Sequence, residues 1–221
     1  MKTKQKLSLI FNLLIFVLST FSAIAMFVGF YFMGKANAFT ALGFNEFKYF
    51  TVDSNVFAGI VSLLIVVHLL WKKEQECPLW LSALKLAATT AVTLTMMVTV
   101  FWLAPTSSSG YFSLFVNSNL FMHLIVPLLC IISFVFFEPC KLSFKLTLTA
   151  VIPMLLYSIY YGGNILLHLQ DGKTSPKYDW YGFLVGGMKT FPFVVVGIAL
   201  ITWVFALALW FANKECSPSA H

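Results

Sequence analysis

Two pairs of polar residues stand four apart inside otherwise apolar stretches. Thr51 and Asn55 fall in Tyr49-Phe50-Thr51-Val52-Asp53-Ser54-Asn55-Val56-Phe57, and Asn119 and His123 in Asn117-Ser118-Asn119-Leu120-Phe121-Met122-His123. A spacing of four puts both members of a pair on one helical face. A threonine hydroxyl becomes a nucleophile when a base within hydrogen-bond reach takes its proton. A neutral imidazole serves as that base near pH 7, and a carboxamide is a suitable donor to a developing oxyanion. These are the minimal parts of an acyl-transfer site: Thr51 as nucleophile, His123 as base and then acid, Asn55 or Asn119 on the oxyanion. Asp53 is either an orienting group or an interface residue. It lies only about 9 Å inside its apolar stretch at 1.5 Å per residue, which favours the interface. Ser54 and Ser118 flank the pairs, and Tyr157, Tyr161 and Asn164 share one face further along, so these five are pocket candidates. His168 continues that face and reads as part of an aromatic belt at headgroup level. The other reading of His123 is a packed, hydrogen-bonded core histidine; an ionisable group within a membrane is a functional candidate by default.

The elements that must hold these residues are membrane helices. Of 221 residues, 60% are apolar and 10% charged, against roughly 45–50% and about 25% in an ordinary soluble domain. That balance excludes a soluble enzyme, a nucleic-acid-binding domain and a disordered chain. Six stretches are long enough for a hydrocarbon core that takes about 20 helical residues to cross: 7–33, 47–71, 79–103, 113–137, 144–169 and 182–211. They predict a single all-α, polytopic bundle of six transmembrane helices. The runs are continuous, without the alternation of a β-barrel. The first run, about 27 residues long, exceeds the apolar core of a cleavable signal, so it counts as a span.

All fourteen basic residues are Lys, in a chain of net charge +6. Lys2, Lys4, Lys6, Lys72, Lys73, Lys85, Lys141, Lys145 and Lys214 fall on the side of the termini, and Lys35, Lys48, Lys173, Lys177 and Lys189 on the other. Nine against five predicts both termini in the cytoplasm. Cys77, Cys140 and Cys216 would then face a reducing compartment, which disfavours structural disulfides, and Cys130 would sit in lipid or bundle. The cysteine spacings match no zinc pattern. No serine-hydrolase elbow, metalloprotease helix, phosphate loop or dinucleotide fingerprint is present, so neither metal nor cofactor is expected. The third span, with Thr89, Thr90, Thr93, Thr95 and Thr99, reads as packing with back-bonded hydroxyls. Pro127, Pro153 and Pro192 are expected to kink their helices and free the carbonyls of His123, Thr149 and Met188.

Phe47-Lys48-Tyr49-Phe50-Thr51 at the head of a span resembles the Trp-Lys-Tyr/Phe-Leu-Thr segment of the androgen-induced membrane hydrolases, a family that includes the androgen-dependent TFPI-regulating protein and related bacterial six-span proteins. Asn119-x-x-x-His123, followed by Pro127 and later Glu138, is similar to that family's second motif. Trp180-Tyr181-Gly182-Phe183 resembles its Trp-x-Tyr-Pro-Phe stretch, with Gly182 in place of the proline. The resemblance implies an intramembrane threonine hydrolase that cleaves fatty acid esters of hydroxy fatty acids, with Thr51 and His123 at the nucleophile and histidine positions. Its partners would be membrane lipids or lipid-like substrates. Acyl transfer to a lipid acceptor by the same residues, or passive binding or transport of a lipid or small molecule, are the alternatives. One geometric conflict stands against the dyad. Residues 52–57 and 116–121 look alike; if they lie at equal depth, His123 matches Gly59, about 12 Å along the axis from Thr51.

Overall fold

The computed structural model describes residues 3–34, 43–72, 77–138, 141–170, 174–184 and 187–216. Six helices are long and apolar enough to cross a membrane: α1 (Thr3–Val28), α2 (Phe50–Trp71), α3 (Leu79–Thr106), α4 (Ser118–Phe137), α5 (Phe144–Leu167) and α6 (Phe191–Cys216). No strand forms among the described residues. An even number of crossings brings both termini to one end, called here the terminal end; the heads of α2, α4 and α6 lie at the far end.

Helix α3 is the centre and α6 the rim: of the most apolar stretch of each, 67% is buried in α3 and 17% in α6. Ile15, Ala58, Val61, Ile65, Leu81, Ala88, Val92, Val126 and Cys130 form one core where α1, α2, α3 and α4 meet. Leu86, Ala87, Phe134, Ala150, Ala206 and Leu209 form a second, on the α6 side of α3. Outward-facing apolar side chains such as Leu156, Ile159, Phe193, Leu200 and Val204 are exposed, as lipid-facing positions require.

Several span boundaries differ from the hydropathy reading, three of them because of local backbone chemistry. Helix α1 stops at Val28, since Gly29 takes φ 81 and the amides of Gly29 and Phe30 both close on the Ala25 carbonyl, a glycine stop. Helix α4 starts at Ser118 and not near 113: Tyr111–Leu114 is a separate 3-10 turn and Asn117 sits at φ 55. The Asn117 side chain holds that bend, accepting from the amides of Phe32 and Met33 at 2.8 and 2.7 Å and donating to the Gly34 carbonyl at 2.7 Å. Helix α6 starts at Phe191 and not at 182, because Gly182 and Gly187 adopt φ 69 and 78 within turns. Pro192 therefore lies in a first turn, where no amide is needed, and does not kink a helix. Pro153 marks the place where α5 passes from 3-10 geometry (Phe144–Val151) to α-helix.

Helix α4 carries two π segments, Phe121–Ile125 and Ser133–Phe137, and α3 one, Thr99–Leu103. In the third span Thr93 and Thr95 back-bond to the Thr89 and Ala91 carbonyls, whereas the buried hydroxyls of Thr89 and Thr90 have no partner among the described residues. Cys130 belongs to the core, Cys77 and Cys216 are free thiols, and Cys140 lies outside the described residues. Lys2, Lys35, Lys73 and Lys173 also lie outside them.

Candidate functional site

Thr51 occupies the first turn of α2, and His123 lies within the first π segment of α4. Both line one cavity of about 30 Å³, together with Asn119, Met26, Tyr49, Val52, Leu103 and Tyr181. That volume holds about one or two waters. Asn55 meets Met122 and not Asn119 across the helices, so the two look-alike segments do not lie at equal depth, and the cause is local. Residues 52–57 are helical throughout, whereas Asn117 bends the chain just before α4 begins. The likeness of the two segments carries no equal depth.

His123 is buried, and its Nδ1 lies 2.9 Å from the Leu114 carbonyl. A carbonyl only accepts, so in the neutral ring Nδ1 holds the proton and Nε2 is left as an acceptor, the form a general base requires. The edge of the ring meets Phe115, 6.5 Å between centroids.

Asn55 does not serve as a free donor. Its Nδ2 donates to the carbonyls of Thr51 at 2.8 Å and Met122 at 3.0 Å, so both amide hydrogens are engaged. The second bond corrects the expectation for Pro127. In the π segment the Val126 amide donates to Phe121, five residues back. The next donor in that register would be residue 127, and proline has no amide. The vacancy therefore falls on Met122, one residue before the predicted His123, and Asn55 fills it. Asn119 is buried and lines the cavity beside Thr51 and His123. Ser118 is buried at the head of α4, and the Ser54 hydroxyl bonds to the Thr51 carbonyl and to Thr95 Oγ1, each at 3.1 Å.

The far end is closed by residues 175–184. The Tyr181 hydroxyl accepts from the Phe50 amide at 3.0 Å and so caps α2 from outside the helix. Burial pushes that hydroxyl up to about 12, so it stays protonated at neutral pH. Asp179 accepts from the Tyr161 hydroxyl and from the amides of Phe183 and Leu184 at 2.9 and 3.1 Å. Asn164 donates to the Tyr178 carbonyl at 3.1 Å, and His168 stacks on the Tyr178 ring at 3.6 Å. Tyr161 and Asn164 thus hold this closing segment and line neither of the cavities described here.

A second cavity, of about 780 Å³, opens between α2, α3 and α5. Phe50, Asp53, Ser54 and Phe57 present one face of α2 to it, with Tyr157 on α5 opposite. Thr51 and Val52 lie on another face of α2, toward the small cavity.

A polar centre in the terminal half was missed by sequence reasoning. Lys85 is fully buried: its Nζ donates to Asn12 Oδ1 at 2.6 Å and Ser62 Oγ at 3.2 Å, and lies 3.5 Å from Glu138 Oε1. Glu138 also accepts from Asn12 Nδ2 at 2.8 Å and Ser133 Oγ at 2.5 Å. Lys85 is therefore no topology lysine and Glu138 no loop charge; they are an ion pair within the bundle, the only one among the described residues. The overlooked signal is register. Ser62 on α2 and Asn12 on α1 are polar residues in apolar runs, at the depth where an antiparallel α3 brings Lys85.

Compared with known proteins, the chain matches no family model, no curated protein and no solved structure.

Proposed function

We propose that the chain is an intramembrane hydrolase of lipid esters, such as fatty acid esters of hydroxy fatty acids. The observation that carries this reading is the convergence of Thr51, Asn119 and His123 on one water-sized cavity. Thr51 Oγ attacks the ester carbonyl while His123 Nε2 takes its proton, and the Asn119 amide stabilises the oxyanion. Collapse expels the alcohol, which receives the proton from His123. Water then adds to the acyl-threonine, gives its proton to His123, and the fatty acid leaves as Thr51 Oγ is reprotonated. The resemblance of the Thr51 and His123 segments to the androgen-induced membrane hydrolases supports the same assignment. With Lys85 set aside, the lysines still divide eight to five in favour of cytoplasmic termini, which puts the cavity in the outer half of the bilayer.

The test is a fluorophosphonate reaction on purified protein, with the labelled residue located by peptide mass. Labelling at Thr51 is expected, together with loss of labelling and of lipid-ester turnover in Thr51→Ala and His123→Ala. Full turnover in either variant overturns the proposal.

A further inference from the structure

The wide cavity between α2, α3 and α5 has a long axis and a chemically distinct end. Ser54 faces Thr95 and Ser62 faces Lys85, which fixes the antiparallel register of α2 and α3. The α3 residues lining the cavity run from Ala87 down to Trp80. Trp80 lies fifteen residues before Thr95, about 22 Å toward the terminal end at 1.5 Å per residue. The cavity therefore extends from Asp53 and Tyr157 at the far end through most of a hydrocarbon core about 30 Å thick. Its volume of about 780 Å³ lies within the roughly 300–1,000 Å³ of small-molecule sites. A slot of that length with apolar walls suits one extended alkyl chain.

Among the side chains that line the slot, Asp53 carries the one carboxyl. The Ser54, Thr149 and Tyr157 hydroxyls are all engaged within the protein, with Thr95, the Leu146 carbonyl and the Lys48 carbonyl respectively. No hydrogen bond or ion pair from a described residue reaches the Asp53 carboxylate. The nearest lysine in sequence, Lys48, lies over the rings of Tyr49 and Trp180 at 4.9 and 5.6 Å. Among the described residues no cation pairs with the Asp53 carboxyl, which stands in the first turn of α2, where the helix dipole favours negative charge.

We infer that this slot binds a single-chain amphiphile with a cationic, ammonium-type head, its head on Asp53 and its tail running toward Trp80. An anionic fatty acid would meet the Asp53 carboxylate and is disfavoured. The site lies on a different face of α2 from Thr51, so it stands or falls separately from the proposed hydrolysis.

Purified protein in detergent, incubated with hexadecylamine, hexadecanol or hexadecanoic acid and examined by native mass spectrometry, tests this. The amine is expected to be retained at least tenfold more tightly than the acid. Asp53→Asn should remove the preference of amine over acid, and Ala83→Trp, which fills the slot, should weaken all three. A diazirine at the tail end of the amine reports independently of variant folding, with adducts expected on residues 80–87. Equal retention of amine and acid, a preference that survives Asp53→Asn, or adducts on the lipid-facing side of α6 in place of 80–87 would each overturn the inference.

Discussion

The Asn55 side-chain amide donates to the Met122 carbonyl at 3.0 Å, joining α2 to the π segment of α4 across 67 residues of sequence. Its other hydrogen holds the Thr51 carbonyl at 2.8 Å, so one side chain sets the spacing between the threonine and the turn that carries His123. Asn55→Leu leaves the Met122 carbonyl buried beside a proline with no donor. The expected cost is about 1–3 kcal/mol, the penalty of an unsatisfied buried polar group. Thermal unfolding in detergent measures it; an unchanged midpoint would show that the bridge carries no stability.

Pro127→Ala restores an amide at the point where α4 changes register. In ordinary i→i−4 register the new amide donates to the His123 carbonyl and the Val126 amide takes Met122 in competition with Asn55, which rotates His123 away from the cavity. Stability is expected to hold or rise, while fluorophosphonate labelling at Thr51 falls at least tenfold. Labelling at the original rate would show that the π segment is not needed to place the histidine.

For Lys85 and Glu138 the single and double substitutions should differ sharply. Lys85→Met or Glu138→Leu alone strands a buried charge and costs about 3–5 kcal/mol, whereas the double variant should be close to neutral. A double-mutant cycle read by thermal unfolding gives the coupling. Additive losses would mean that the two charges do not depend on one another.

Glu46 gives the fold a pH dependence. Burial, and then the charge of Asp53, push its carboxyl from the ordinary 4.5 up to about 7. The folded chain therefore keeps a proton that the unfolded chain has already released. Its contribution is complete below about pH 4.5 and is lost as the pH rises through about 7. The thermal midpoint should fall across that window, and Glu46→Gln should flatten the fall. Asp53→Asn should move its upper edge to lower pH.

Helix number and approximate span positions were legible in the sequence because hydropathy over some 20 residues is a strong signal. The pairing of Thr51 with His123 on one cavity was legible in residue type and spacing, but their depth was not. That depth depends on Asn117 at φ 55, a conformation an asparagine tolerates without announcing it. Lys85 looked like a loop charge because it stands only six residues inside α3. Its partners come from α1, α2 and the residue that follows α4, and no local pattern contains them. The π segments were hidden for a similar reason: each rests on which carbonyl finds a donor from elsewhere.

The Tyr181 hydroxyl ties two events into one. It caps the first free amide of α2, at Phe50, while its side chain forms part of the wall around Thr51 and His123. A change that moves this tyrosine off the cavity wall breaks that cap, and the turn it releases is the turn on which Thr51 stands. The wall of the small cavity and the first turn of α2 are therefore held by one bond, so Tyr181→Phe should loosen the two together.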